Sequence, residues 1–269
     1  MEEPRNSWMI GTIKRLPFTG LNLVIFIYLL APLIVVVWTS FAKEAFPIFP
    51  PKAYSLRWYS NFLENEQFIE SIRLSVVVAF WTAIFALLIG IPGSIALVRF
   101  RFRGSTILNT LCMSPILFPA VVVGIALLVF YSKTRIPNTI ARLVCAHVLM
   151  AIPFVIRLVS SSLYGVDRSM EEASLNLGAS HLKTFFRVTM PLIKPGIIAG
   201  GLFAFFISFD EVTVTLFIAG ARLTTLPIRI YTYIEYSSDP TVTAVSAFLI
   251  LLALCIGVPL GWRFLGIRR

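Results

Sequence analysis

"MEEASLNLGASHLKTFFRVTMPLIKP", Met170 to Pro195, is a punctuated polar segment in a chain that otherwise reads as lipid-soluble. Ser169 and Glu172 have the spacing of a capping box, which predicts a helix start at Ser169. Met170, Ala173, Ser174 and Leu177 then recur at three and four residues and predict one apolar face. Gly178 predicts the positive-φ turn that ends such a helix at low cost. Ser180 is placed to cap a second helix, with Leu182, Phe185, Phe186 and Thr189 on one face, and Pro191 is expected to stop it. Two such helices can lie in a lipid interface, pack beneath a bundle or dock into a soluble partner. Glu171 and Glu172 disfavour anionic headgroups, so a protein partner is favoured for the first half.

The surrounding chain sets the class. Of 269 residues, 58% are hydrophobic and 13% charged, far outside soluble composition. Charge-free runs at Leu16–Ala42, Leu74–Val98, Ser105–Ser132 and Thr241–Trp262 each exceed the about 20 helical residues that cross hydrocarbon. Two further runs are interrupted: Thr139–Tyr164 by Arg157 near one end, and Ile193–Ala219 by Asp210 and Glu211. The expectation is an all-α integral membrane protein with six transmembrane helices, since the alternating strands of a barrel are absent. Leu16–Ala42 is too long and too proline-interrupted for a signal-peptide core and reads as a retained first span. Prolines recur in the runs, at Pro32, Pro92, Pro115, Pro119, Pro153 and Pro259, as a bundle tolerates. The expected division is residues 1–69, holding the first span and an outer loop, and residues 70–265, a core of five spans with a connecting loop at 167–191.

Lys and Arg cluster on one side: Arg5, Lys14 and Arg15; Arg99, Arg101 and Arg103; Arg157, Arg168, Lys183, Arg187 and Lys194; and Arg263, Arg268 and Arg269. The other side has fewer, and more acids balance them. By the positive-inside rule both termini and the Met170 segment are cytoplasmic, and Arg157 lies where it can snorkel to the inner headgroups. The formal charge of +10 is spread over loops rather than gathered in a patch, so nucleic acid is not an expected partner. Cys112, Cys145 and Cys255 read as small buried hydrophobes. His147 and His181 stand isolated, no metal-ligand spacing occurs, and no nucleophile–base pair is visible. Neither a catalytic nor a metal site is expected.

Glu172-Ala173-Ser174, three residues, Gly178, nine residues and Val188-Thr189-Met190-Pro191 resemble the coupling loop of ABC importer permeases. Ser174, Val188 and Met190 stand where that pattern has alanine, isoleucine and leucine, and each keeps approximate size. The resemblance implies the type I ABC importer permease fold, in a multi-pass protein of a bacterial inner membrane. It also implies that Glu171, Glu172, Ala173, Ser174, Gly178 and Pro191 seat in a cytoplasmic ATPase dimer. A second permease chain and an extracytoplasmic solute-binding protein are implied with it. The chain has no G-x-x-x-x-G-K-[ST], so ATP and magnesium are expected on the ATPase and no cofactor here. "SLRWYSNFLENEQFIESIRLSVVVA" from Ser55, "SFDEVTVTLFIAG" from Ser208, "TTLPIRIYTYI" from Thr224 and "SDPTVTAVSA" from Ser238 are most similar to spermidine/putrescine permeases. Related permeases carry opines, amino-acid derivatives, phosphonates or iron.

Ionisable groups at membrane depth are costly unless they face water, a partner or a pathway. Asp210 and Glu211 are therefore candidate path or gate residues for a cation; a helix–helix hydrogen bond, or a span ending at Phe209, are the alternatives. Tyr231, Tyr233, Glu235 and Tyr236 form an aromatic-acidic cluster, expected in an outer loop, of the kind that binds amines. Interfacial tyrosines are also commonplace, and the same holds for Trp58 and Tyr59. Gly196-x-x-x-Gly200 and Gly257-x-x-x-Gly261 allow close helix contact within one bundle or between subunits. A gradient-driven transporter using Asp210 and Glu211 as its ion site, and a non-transporting scaffold, are the rival classes.

Overall fold

The structure, a computed structural model, describes residues 7–264 apart from positions 47, 101, 221, 222 and 238. Both chain ends, and Arg5, Arg101, Arg222, Arg268 and Arg269 of the charge pattern, lie outside the described residues. The elements are helices: α1 (Ser7–Thr39), α2 (Arg57–Glu64), α3 (Glu66–Arg99), α4 (Ser105–Leu117), α5 (Ala120–Thr134), α6 (Thr139–Tyr164) and α7 (Arg168–Asn176). There follow α8 (His181–Thr184), a π-helical turn (Phe185–Thr189), α9 (Met190–Leu192), α10 (Lys194–Asp210), α11 (Thr213–Ile218), α12 (Leu226–Tyr236) and α13 (Thr241–Phe264).

Three segments are individually long and apolar enough to cross a membrane: Gly20–Thr39 of α1, α3 and α6. Two bent pairs qualify together, and Thr241–Cys255 is a shorter apolar helix. The run Ser105–Ser132, read as one span, is bent by 104° between α4 and α5. Pro119 explains the place, because it supplies no N–H to carry the ladder past Phe118. Pro92, Pro115 and Pro153, by contrast, sit inside continuous helices.

The chain divides into two compact units, one of Met1–Asn65 with Tyr233–Arg269 and one of Glu66–Thr232. In the first, α13 packs on α1 and α2, with Phe62 against Phe248 at 5.7 Å between ring centroids. The indole of the buried Trp58 donates to the Ala42 carbonyl at 2.8 Å, and the Tyr59 hydroxyl meets Ser40 Oγ at 2.7 Å. Trp58 and Tyr59 thus tie α2 to the end of α1.

In the second unit α6 is the central helix, with α3 and α10 packed against it and against each other. One apolar cluster joins Leu74, Val78, Leu143, Val144, Val214 and Ile218; another joins Ala86, Ala151, Val155, Val159, Ile193 and Ala204. The helices approach closely because the contact positions are small. A Cβ on Gly196 would stand 2.5 Å from Ser162 Cβ and 2.8 Å from the Leu158 carbonyl oxygen; one on Gly90 would stand 2.5 Å from Val155 Cγ1. Gly196 and Gly200 therefore seat α10 on α6 within this chain. Cys145 and Cys255 are exposed and Cys112 is half-buried, so the expected burial of the cysteines within the protein does not hold. Exposed apolar side chains cover much of the surface, as a hydrocarbon environment requires.

Gly196→Val forces a side chain into the α6 backbone, an overpacking that costs about 1–3 kcal/mol. The purified variant is expected to melt several degrees lower. Gly257→Val, with nothing within 4 Å of its Cβ, is expected to melt as the parent does.

Candidate functional site

The Met170 segment leaves α6 at Gly165 and returns into α10. Its first helix is capped two residues earlier than the capping box predicts. Asp167 is the N-cap, its carboxylate accepting from the Ser169 N–H at 2.9 Å. The ionised carboxylate is a stronger acceptor than the Ser169 hydroxyl and takes the place expected for it. The Ser169 backbone N–H, then its side chain, hold the Asp167 carboxyl below its ordinary value of 3.8. The cap is thus complete at neutral pH and is lost only as pH falls through that lowered value.

Gly178 adopts φ +84°, and open space surrounds its missing Cβ. Ser180 caps α8, accepting from the Lys183 N–H at 3.3 Å. Pro191 does not stop the second helix. The chain passes through the π turn and α9 and bends by 72° only at Ile193, next to α10. The π turn directly before Pro191, where the Met190 N–H reaches back to the Phe185 carbonyl, carries the helix past the proline.

The predicted apolar faces are largely exposed. Leu177 is 89% and Leu182 72% exposed, and Met170, Ala173 and Phe186 are exposed beside them. Turned inward instead are Glu171, Ser174 and Leu175, at three- and four-residue spacing. The Ser174 hydroxyl meets that of Thr184 at 3.0 Å and joins α7 to α8. The two glutamates face apart. Glu172 is exposed and pairs loosely with Arg168 at 3.5 Å, whereas Glu171 is largely covered, bound to Arg99 at 3.1 Å and to the Thr189 hydroxyl at 3.0 Å.

At the other candidate site the span ends early. Glu211 is extended with ψ 109°, so α10 stops at Asp210 and α11 starts at Thr213. Asp210 is exposed and makes no hydrogen bond or ion pair among the described residues. Glu211 is half-buried and occupied: its carboxylate accepts from the Val214 N–H at 2.9 Å and its carbonyl from the Thr215 hydroxyl at 2.8 Å.

His147 is not isolated. It is buried on α6 with Nδ1 2.7 Å from Ser208 Oγ and Nε2 2.8 Å from Thr215 Oγ1, and Ser208 donates in turn to Thr82 at 3.2 Å. No local sequence signal reveals this cluster, since its members lie far apart in the chain. Arg157 lines a cavity of about 530 Å³ with Asn109, Ser160, Ser161 and Tyr164, between the starts of α4 and the end of α6.

The aromatic-acidic cluster does not assemble as expected, for Tyr231, Tyr233 and Glu235 lie on the helix α12 rather than in a loop. Helical spacing puts Tyr231 and Glu235 on one exposed face and Tyr233 on another. The Tyr233 hydroxyl donates to Asp239 at 2.8 Å.

A glycine-turned, apolar-tipped segment between α6 and α10 of a bundle of apolar helices has the form of a transporter's membrane subunit. Residues 86–262 match the family described as binding-protein-dependent transport system inner membrane component, and the chain belongs to that family. It is 32% identical to the spermidine/putrescine transport system permease protein PotC of Haemophilus influenzae, over 87% of this chain and 91% of that one. It is 33% identical to the putrescine transport system permease protein PotI of Escherichia coli K12, over 84% of this chain and 82% of that one. Its fold is that of a chain in the crystal structure of a bacterial ABC transporter involved in the import of the acidic polysaccharide alginate. That match has a TM-score of 0.69 at 18% identity and covers 98% of each chain. The protein is thus a multi-pass permease component of an ABC importer in the inner membrane, in agreement with the resemblance carried by the Glu172–Pro191 segment.

His147→Leu removes two buried hydrogen bonds, one from each of the Ser208 and Thr215 hydroxyls, a loss of about 1–3 kcal/mol. A clearly lower melting temperature is expected than for His181→Leu, which alters an exposed residue.

Proposed function

We propose that this chain is the non-catalytic half of the translocation path of a binding-protein-dependent importer for a polyamine such as spermidine or putrescine. Six spans cross the inner membrane, with both termini and the α7–α8 segment in the cytoplasm. A second permease chain completes the path, a cytoplasmic ATPase dimer binds ATP and magnesium, and an extracytoplasmic binding protein delivers the solute. This chain itself needs no cofactor.

The carrying observation is the exposed tip of α7 and α8. Leu177, Gly178 and Leu182 stand outside the bundle with Glu172 beside them, while Glu171 and Ser174 hold the segment from within. An apolar, glycine-hinged tip with an acid at its edge suits a groove in a soluble protein better than a headgroup layer. In this assignment Glu172, Ala173, Gly178 and Pro191 belong to the docking surface, and Glu171 and Ser174 brace it. Nucleotide-driven closure of the ATPase dimer moves the tip, and the permease pair alternates access.

The relatives named for spermidine and putrescine support the solute class, and Asp210 supports it chemically. An exposed carboxylate at the end of α10 attracts a polycation along a low-dielectric passage. Tyr231 and Glu235 supply a further aromatic and acidic surface, while Glu211 and Tyr233 serve by shaping the backbone and the turn around them.

Two measurements test this on the whole importer in proteoliposomes. Gly178→Asp or Glu172→Lys is expected to release the ATPase from the purified complex and to lower solute uptake at least tenfold. Wild-type uptake in both would sink the docking assignment. Asp210→Asn is expected to raise the KM for spermidine uptake several-fold while the assembled complex stays intact; an unchanged KM removes Asp210 from the path.

A further inference from the structure

Arg99, the last residue of α3, forms the ion pair that joins different elements among the described residues; the other, Arg168–Glu172, lies within α7. Its Nη2 donates to Glu171 Oε1 at 3.1 Å and to the Val166 carbonyl at 3.1 Å. The two side chains are only 14% and 16% exposed. Arg99 Nε is buried with no hydrogen-bond partner, so Glu171 and Val166 are what hold the guanidinium. The same Glu171 oxygen accepts from Thr189, a buried residue of the π turn. There the Met190 N–H reaches back five residues to the Phe185 carbonyl, the widened turn that recurs at functional sites. The pair therefore ties three places together: Arg99 at the end of α3 holds the α6–α7 link through Val166, and Glu171 holds the approach to α10 through Thr189.

Packing makes that carboxylate mechanically important. α7 rests chiefly on α8 and the π turn, and its own direct bond to a membrane span is the one to Arg99. α3 in turn packs along both α6 and α10. We propose that Arg99 and Glu171 form a strut that passes displacement of α7 and α8 to α3, and so to the bundle. Both are positioning residues, and the inference rests on the α7–α8 tip being the ATPase docking surface. A largely buried charged pair is stiff where an exposed pair is not, because little water competes for either partner.

Arg99→Gln, Glu171→Gln and the double variant, each in the complete importer with its ATPase and binding protein in liposomes, provide the test. In each single variant the ATPase is expected to co-purify as in the parent and basal ATP hydrolysis to persist. Stimulation of hydrolysis by loaded binding protein, and uptake, are expected to fall about tenfold. The double variant is expected to fall no further, because the pair acts as one unit. Parental stimulation in either single variant, losses that multiply in the double, or release of the ATPase would each overturn the strut. Where Arg99→Gln fails to insert, Arg99→Lys keeps the charge and is expected to show a partial loss with the ATPase still bound. The docking assignment fails separately, through Gly178→Asp: that residue lies off the pair, and an unchanged complex and uptake there refute docking whatever the strut variants do.

Discussion

Inside hydrocarbon a broken helix has no water to satisfy its freed backbone groups, and each orphan costs several kcal/mol. The end of α10 meets this constraint with side chains. The Glu211 carbonyl takes the Thr215 hydroxyl, the Val214 N–H takes the Glu211 carboxylate, and His147 anchors Thr215 to the central helix. Thr82 and Ser208 extend the cluster to α3 and α10. The core of this unit is consequently stratified, with a polar layer between the apolar group around Leu143 and Val214 and that around Val155 and Ala204. The break is held by three helices at once, which fixes where Asp210 stands.

At the Met170 end the segment is polar and satisfies its backbone groups with caps and turns, so it can leave the bundle. Its two ion pairs show how surroundings decide what the same chemistry does. Arg168 and Glu172, each more than half exposed, contribute little to stability and leave the surface free to meet a partner. Arg99 and Glu171, mostly covered, cannot lose one member without stranding the other. One glutamate is exposed and its neighbour faces the bundle, so the docking and strut roles proposed for them fall on adjacent residues.

Local signals were legible in the sequence and distant ones were not. α6 runs from Thr139 to Tyr164 as its apolar run indicates, Gly178 is left-handed, and Ser180 is a cap. Each of these depends on residues within one turn. Asp167 displaced Ser169 as cap because two acceptors competed for the same amides, and spacing alone does not rank them. Pro119 stands at a 104° bend, Pro191 stands two residues before a 72° one, and Pro92, Pro115 and Pro153 lie in continuous helices, so the residue type alone does not say where a helix bends. Arg99 counted as a topological charge, and its partner lies 72 residues on. His147 bonds Ser208 and Thr215 across 61 and 68 residues, beyond the reach of any periodicity.

The sequence pair Asp210-Glu211 also divides on folding. Had α10 continued, both carboxylates would have projected from one helix about 100° apart. Because it stops, Glu211 turns back to cap α11 and Asp210 alone remains exposed. For the proposed polycation this sets a scale. One carboxylate at about 4 Å from an ammonium, near a protein surface, gives an attraction of about 4 kcal/mol before desolvation is charged against it. That concentrates a cation without trapping it, and a path must bind weakly enough to let its solute leave. A second committed carboxylate in the same place would deepen the well and slow release. In the proposed path, the bond that commits Glu211 to the Val214 N–H would thus help keep a conduit distinct from a binding site.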